Sequence, residues 1–252
     1  NPNSNMVPDK FYIDDDKKIF ETNLPDREIF VYQHGINPLY LPKKHKIDES
    51  RPFTFLYIGE PSARKNGQMV ADTFIKLFGN NEDYQLIIKG VEESTIKVRS
   101  YYGNDDLDPS LMYKNIKTIL KSYQISEMID LYRSADVFLY PSWGEGWGFN
   151  PFQAIATGLP TISTYDWADY QDLITVKINS TWHQSPWPDI HPGYMLKPSY
   201  GDLKLSMSSA KENYDYWADI TFKNALELHE TYNWDKVTEP AVARLQKIYK
   251  TL

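Results

Sequence analysis

The stretch Asp136-Val137-Phe138-Leu139-Tyr140-Pro141-Ser142-Trp143-Gly144-Glu145-Gly146-Trp147-Gly148-Phe149-Asn150-Pro151 decides the fold. Residues 136–140 form a short apolar, β-prone run, the pattern of a strand buried on both faces. Residues 141–149 are a turn with glycines at three alternate positions, 144, 146 and 148. The next segment carries helix punctuation: Asn150 as N-cap, Pro151 at the first helical position, Gly158 just past the end and Pro160 beyond. Residues 161–164 read as the next strand. Strand, glycine turn, helix and strand in this order form one unit of a parallel sheet.

Upstream, the same unit recurs. Phe53-Thr54-Phe55-Leu56-Tyr57-Ile58 is a strand stopped by Gly59, and a polar turn, 60–67, leads to Met69, Val70, Phe74, Ile75, Leu77 and Phe78. Their spacing is helical and Gly79-Asn80 ends it. A strand at 84–89 ends at Gly90, an irregular polar stretch runs to about Asn115, a strand covers 116–120, and a helix covers 126–134. Residues 29–32 read as one more short strand, and 1–28, with the acidic run Asp14-Asp15-Asp16, as a linker or arm. Beyond Ser199 the chain reads as helical, in segments around Leu203 to Met207, over 218–232 and over 237–249, the last with Val242, Leu245 and Ile248 on one face. The predicted fold is α/β: a Rossmann-like parallel sheet with helices on both faces and a helical C-terminus, one domain over 29–252.

Composition narrows the function. With 252 residues, 41% of them hydrophobic and 24% charged, the chain has material for a sizeable core, which excludes a disordered tail or fibrous repeat. Asp and Glu number 34 against 27 Lys and Arg, a net charge of −7, the wrong sign for binding nucleic acid or anionic membranes broadly. A phosphate site must therefore be local. The absence of cysteine removes disulfides, thiolate metal sites and cysteine nucleophiles. No apolar run approaches the roughly 18 residues of a membrane span, and Asn1-Pro2-Asn3-Ser4-Asn5 lacks the marks of a signal peptide. The expectation is a soluble, cytoplasmic protein.

The glycine turn is the candidate site. Gly144, Gly146 and Gly148 let the backbone approach a ligand, and the amides at the start of the following helix point outward at the carboxyl edge of the sheet, where open α/β folds bind phosphates. A tight turn that needs glycine for its own conformation would look the same. Glu145 would repel a phosphate and is read instead as a group for sugar hydroxyls. Gln153, in the first turn of the helix, is placed to reach a ribose or sugar, although its spacing from Asn150 is also that of a capping box. Arg64 and Lys65 lie in the turn after strand 53–58, on the same sheet edge, and two cations there would neutralise a diphosphate.

These residues carry a resemblance. The runs Leu131-Tyr132-Arg133-Ser134-Ala135-Asp136-Val137-Phe138-Leu139-Tyr140-Pro141-Ser142 and Gly144-Glu145-Gly146-Trp147-Gly148-Phe149 resemble the C-terminal, donor-binding domain of a retaining GT-B glycosyltransferase of the glycosyltransferase 4 family. The segment Val31-Tyr32-Gln33-His34-Gly35-Ile36-Asn37 resembles that family's N-G-V-D segment, and Tyr232-Asn233-Trp234-Asp235 its late F-S-W-E segment. The resemblance implies a nucleotide-sugar donor held by Gly146, Trp147, Gly148 and Phe149. The family's Glu-x7-Glu motif falls on Glu145, which then contacts the transferred sugar, and on Gln153, which contacts the ribose although the second carboxylate has become an amide. The family's phosphate-binding Arg and Lys fall on Glu60 and Lys65, so the Arg is replaced by an acid and Arg64 is left to stand in. The implied catalytic residues are Glu145 and Lys65, the implied scheme needs no side-chain nucleophile, and neither a metal nor another cofactor is expected.

Other signals point elsewhere. Asp106-Leu107-Asp108 has the D-x-D form of metal-dependent GT-A transferases but sits in a polar stretch and reads as a solvated loop. His34, His45, His183, His191 and His229 show no metal-ligand spacing, and Asn179-Ser180-Thr181 is a glycosylation sequon by pattern only. A GT-B enzyme needs two such domains, and this chain has the length for one. The expectation is therefore a fragment, a chain whose acceptor half is supplied by a partner, or a domain that has become a nucleotide-sugar or carbohydrate binding module. A dinucleotide-binding enzyme of unrelated function is the remaining alternative.

Overall fold

The computed structural model describes residues 10–12, 19–21, 32–60, 62–90, 98–99 and 106–250. Its frame is a sheet of six parallel strands: β1 Phe53–Ile58, β2 Tyr84–Lys89, β3 Ile116–Ile119, β4 Val137–Tyr140, β5 Thr161–Thr164 and β6 Val176–Ile178. The helices between them are α1 Gly67–Phe78, α2 Ile125–Ser134 and α3 Phe149–Ala156. A hairpin, β7 Ser180–Gln184 and β8 Tyr194–Pro198, comes next, and then α4 Tyr200–Ser208, α5 Tyr214–Thr231 and α6 Trp234–Tyr249. Strand order in the sheet is β6-β5-β4-β1-β2-β3, the doubly wound arrangement in which the direction of build reverses between β1 and β4.

All six residues of β1 are buried, because the strand is covered on both faces. Alternation sends Phe53, Phe55 and Tyr57 to one face, where they pack with Val70 and Phe74 of α1 and with Leu203, Met207 and Tyr214 of α4 and α5. Leu56 and Ile58 go to the other face with Phe138 and Tyr140 of β4, Ile129 and Tyr132 of α2, and Phe152 and Ile155 of α3. The end of α5 returns to this second face: His229 Nε2 is 2.8 Å from the carbonyl of Tyr40, and the Ile36 amide donates to the carbonyl of Tyr232 at 2.7 Å. Among the described residues no helix is long and apolar enough to cross a membrane.

Several expectations are corrected in detail. Asn150 does not cap α3. The helix begins two residues earlier, at Phe149, with Gly148 as N-cap at φ 78°, and the side chain of Asn150 instead donates to the carbonyl of Ile58 at 3.0 Å, joining α3 to the end of β1. Only glycine adopts that φ without strain, so the cap position goes to Gly148. Asp108 is no solvated loop residue: it caps the short helix Pro109–Met112, accepting from the Ser110 amide at 2.8 Å and from Thr118 Oγ1 at 3.1 Å. Of the predicted strand 29–32, residues 29–31 lie outside the described residues and Tyr32 is not in a strand. Within the segment read as an arm, Lys10–Tyr12 and Ile19–Glu21 pair antiparallel. Val242, Leu245 and Ile248 of α6 keep 49%, 66% and 44% of their surface exposed, as expected for a helix whose apolar face is not fully covered.

One core group ties stability to pH. His45 is 5% exposed, and burial pushes its pKa down to about 4, so the fold holds it neutral. The unfolded chain takes up the proton near pH 6.5, so stability is complete above that pH and falls as pH drops from 6.5 toward 4. His45→Phe is expected to flatten this acid-side fall by roughly 3 kcal/mol. Urea unfolding of both proteins between pH 6.5 and 4 checks it, and equal slopes would rule it out.

Candidate functional site

The reversal between β1 and β4 leaves a crevice at their carboxyl ends, and the two turns that leave those strands fill it. The β1 turn carries Arg64 and Lys65, and the β4 turn is Pro141 to Gly148. They are joined by backbone and side chain: the Trp143 amide donates to the carbonyl of Arg64 at 2.9 Å, and Arg64 Nη1 donates to the carbonyl of Gly144 at 2.6 Å. Tyr57, at the end of β1, supports the first turn by donating its hydroxyl to the carbonyl of Lys65 at 3.3 Å.

Glu145 is the hub. It accepts from Ser142 Oγ at 2.8 Å and Tyr140 Oη at 2.9 Å, pairs with Arg64 Nη1 at 2.8 Å, and lies 3.5 Å from Lys65 Nζ. All four contacts use Oε1, which leaves Oε2 to accept from elsewhere. Burial pushes the carboxyl upward in pKa, but Lys65, the Arg64 and Ser142 hydrogen bonds and the Arg64 charge outweigh it and hold Glu145 below its ordinary value. It is therefore ionised at neutral pH. Burial, and then the neighbouring Glu145 charge, push Tyr140 far above the usual tyrosine range, so its hydroxyl stays a neutral donor. Lys65 Nζ also lies 3.1 Å from that hydroxyl.

Two cavities open on either side of Glu145 and Gly146. One, of about 470 Å³, is lined by His34, Lys65, Tyr140 and the run Glu145 to Asn150. The other, of about 370 Å³, is bounded by Arg64, Trp143 and Gly144 on one side and by the β7–β8 hairpin on the other. A Cβ added at Gly144 or Gly146 would meet nothing within 4 Å, so these glycines leave open space where a ligand can touch backbone. Gly148 differs, being fixed by its positive φ and by the Trp167 ring against it. At the head of α3 the amides of Phe149 and Asn150 have no acceptor within the helix, and Pro151 has none to offer.

The fold thus brings Arg64, Lys65, Glu145, Gly146, Trp147, Gly148 and Phe149 to one place. Gln153 is not among them: it lines neither cavity, and its Oε1 accepts from Tyr132 Oη at 3.2 Å. Glu60 is exposed. Trp147 is packed against Phe152, Tyr170 and Tyr232, with its Nε1 buried and without an acceptor among the described residues. His34 is an addition from the structure: it meets Trp147 and Phe149 edge-on, at 5.3 and 4.9 Å between ring centroids. Its place in the segment resembling N-G-V-D was the signal available for it. Tyr140 read as a strand-end residue and Ser142 as part of the turn, and nothing in the sequence marked them as ligands of Glu145. Among the described residues no group of three or more His, Cys, Asp or Glu is arranged to hold a metal ion.

Residues 52–180, just over half the chain, match the family described as glycosyl transferases group 1. A search of curated proteins finds no match. Among solved structures, the sucrose-phosphate synthase of Thermosynechococcus elongatus is similar with a TM-score of 0.62 at 14% identity, over 89% of this chain and 54% of that one. The C-terminal domain of a glycosyl transferase group 1 family protein from Francisella tularensis is similar with a TM-score of 0.52 at 17% identity, over 77% of this chain and 96% of that domain. The pneumococcal O-GlcNAc transferase GtfA, solved in complex with UDP and GlcNAc, is similar with a TM-score of 0.55 at 14% identity, over 89% of this chain and 41% of that one. The chain spans about half the length of the synthase and corresponds to nearly all of the isolated domain. At these identities the likeness shows the fold, that of GT-B glycosyltransferases. Because the family match takes in all six sheet strands and both turns that build the site, the chain belongs to the glycosyl transferases group 1 family.

Proposed function

We propose that this chain is the donor-binding, catalytic half of a retaining glycosyltransferase of the glycosyltransferase 4 type, which transfers a sugar from a nucleotide sugar. One observation carries the reading: at the switch point, a partly buried, ionised carboxylate, Glu145, stands between two cations, Lys65 and Arg64, beside a glycine turn that heads a helix. In this role the cavity of about 470 Å³ takes the donor. Lys65 and the amides of Phe149 and Asn150 face its diphosphate, and Glu145 Oε2 accepts from hydroxyls of the transferred sugar. The bond between the anomeric carbon and the diphosphate oxygen breaks as the acceptor oxygen bonds to that carbon on the same face. The leaving diphosphate takes the acceptor proton. No side chain acts as nucleophile; the protein positions the reactants and stabilises the charge that grows on the diphosphate. UDP bound to the similar GtfA supports a nucleotide diphosphate here. The acceptor half belongs to a further domain or a partner chain, and with nucleotide sugars as donors the reaction belongs in the cytoplasm.

Titration of UDP-glucose, UDP-N-acetylglucosamine, GDP-mannose and the free diphosphates UDP and GDP tests this. Lys65→Ala is expected to weaken the bound nucleotide sugar and its free diphosphate alike, by roughly tenfold to a hundredfold, the worth of a charge-assisted hydrogen bond. Glu145→Gln should weaken the nucleotide sugar and leave the free diphosphate unchanged or tighter. Equal losses for both ligands in Glu145→Gln would remove the sugar-contact role, and no binding of any nucleotide sugar would remove the reading itself. The exposed Glu60 and the withdrawn Gln153 favour a second reading, a binding module without transfer. It requires donor binding with no product after the acceptor half is restored.

A further inference from the structure

The β7–β8 hairpin begins where the family match ends, at residue 180, so this wall of the smaller cavity is built by residues beyond the family's common part. Its register sets Trp182 opposite Leu196 and Gln184 opposite Tyr194, which places Trp182, Tyr194 and Leu196 on one face of the ribbon. That face, with Trp143 and Trp167 across from it and Arg64 and Glu145 also in the lining, encloses about 370 Å³. The walls are held. The Leu196 amide donates to the carbonyl of Trp143 at 2.9 Å, Ser180 Oγ to Asp166 at 2.9 Å, and Trp167 Nε1 to Thr164 Oγ1 at 3.0 Å. Yet Trp182 is 68% exposed and Tyr194 38%. Large aromatic faces kept open on a fixed ribbon mark a binding surface.

We propose that this cavity is a carbohydrate subsite that seats one uncharged glycosyl ring of the acceptor beside the donor sugar, an inference that rests on the transferase reading above. A pyranose ring has apolar C–H faces that pack on indole and phenol rings, and a rim of hydroxyls that need partners. Arg64 and Glu145 in the lining supply one donor group and one acceptor group for that rim. In the lining Arg64 is already paired with Glu145 at 2.8 Å, so its charge is met within the protein and the ring it meets need carry none. The volume lies within the roughly 300 to 1,000 Å³ of small-molecule sites, enough for one ring. Glu145 and Gly146 line both cavities, so an occupant here lies next to an occupant of the donor cavity.

The test is saturation-transfer NMR on the whole chain with methyl α- and β-glycosides of glucose, galactose, mannose and N-acetylglucosamine, with and without UDP. Nucleotide-sugar titrations run in parallel. At least one glycoside is expected to receive saturation on its ring protons. Trp182→Ala should weaken it by roughly tenfold while nucleotide-sugar affinity stays within about twofold. Trp182 is largely exposed, so its loss leaves the fold intact, and Tyr194→Ala gives an independent second variant. Glycoside binding without any nucleotide-sugar binding would support the subsite and overturn the donor reading. Nucleotide-sugar binding with no glycoside signal, or glycoside affinity unchanged in both variants, would overturn the subsite.

Discussion

Arg51→Leu is expected to destabilise the chain by about 3 kcal/mol, at the lower end of the cost of stripping a buried charge of its partner. Asp136 is 1% exposed, and its two oxygens accept from Arg51 Nη1 at 2.7 Å and Nη2 at 2.8 Å, with the Thr54 amide as a third donor at 2.7 Å. Without Arg51 the carboxylate at the start of β4 has one hydrogen bond left for a full charge. The lower end applies because Arg51 itself is 29% exposed, so water can follow its removal. Pairing Arg51→Leu with Asp136→Asn should recover most of the loss, since the amide oxygen still accepts from Thr54. Urea unfolding at pH 7 measures both. A loss under about 1 kcal/mol for the single variant would show that the pair adds little, as exposed pairs do. The pair sits at the amino ends of the strands, so nucleotide-sugar affinity per folded molecule should not change.

Gly148→Ala is expected to cost about 3 kcal/mol, from the roughly 1–2 kcal/mol of a left-handed backbone plus the strain of overpacking. The added Cβ would press into the Trp167 ring and lie 2.8 Å from Tyr170 Oη, which donates to the Gly148 carbonyl. This variant should also weaken nucleotide-sugar binding by more than tenfold, because Gly148 sets the direction in which α3 leaves the turn. Gly146→Ala is the control: among the described residues nothing stands in the way of its Cβ, so it should keep full stability and lose affinity only through a ligand. Thermal unfolding with and without nucleotide sugar separates the two effects. If Gly148→Ala unfolds at the wild-type midpoint, strain at this position is ruled out.

The sheet was largely legible in the sequence. Phe53–Ile58, Tyr84–Lys89 and Thr161–Thr164 have the bounds that their apolar runs and flanking glycines or prolines announce. Helix starts were less so. α5 begins at Tyr214 rather than 218, and α3 at Phe149, because caps depend on backbone angles and tertiary partners that composition does not display. The hairpin Ser180–Pro198 went unread, since Pro186, Pro188 and Pro192 give its loop no period to follow. The site divides the same way. Glu145, Arg64 and Lys65 were traceable from the rule that ligands gather at strand carboxyl ends, but His34, Trp182 and Tyr194 arrive from segments distant in sequence, and only the assembled sheet brings them near.

The position of β1 has a consequence for how the chain comes into being. It pairs with β2, its neighbour in sequence, but its other partner, β4, is made only after β3 and α2. Until Val137 to Tyr140 arrive, a largely apolar strand has one open row of amides and carbonyls, the surface that recruits other chains into intermolecular sheets. Closing β1 on β4 is a long-range step with a high loop-entropy barrier, and the helices that cover both strands cannot settle before it. The two halves of this sheet therefore do not mature independently. A nascent chain halted before β4 is exposed to aggregation, and chaperone protection is needed most in the interval between synthesis of β2 and synthesis of β4.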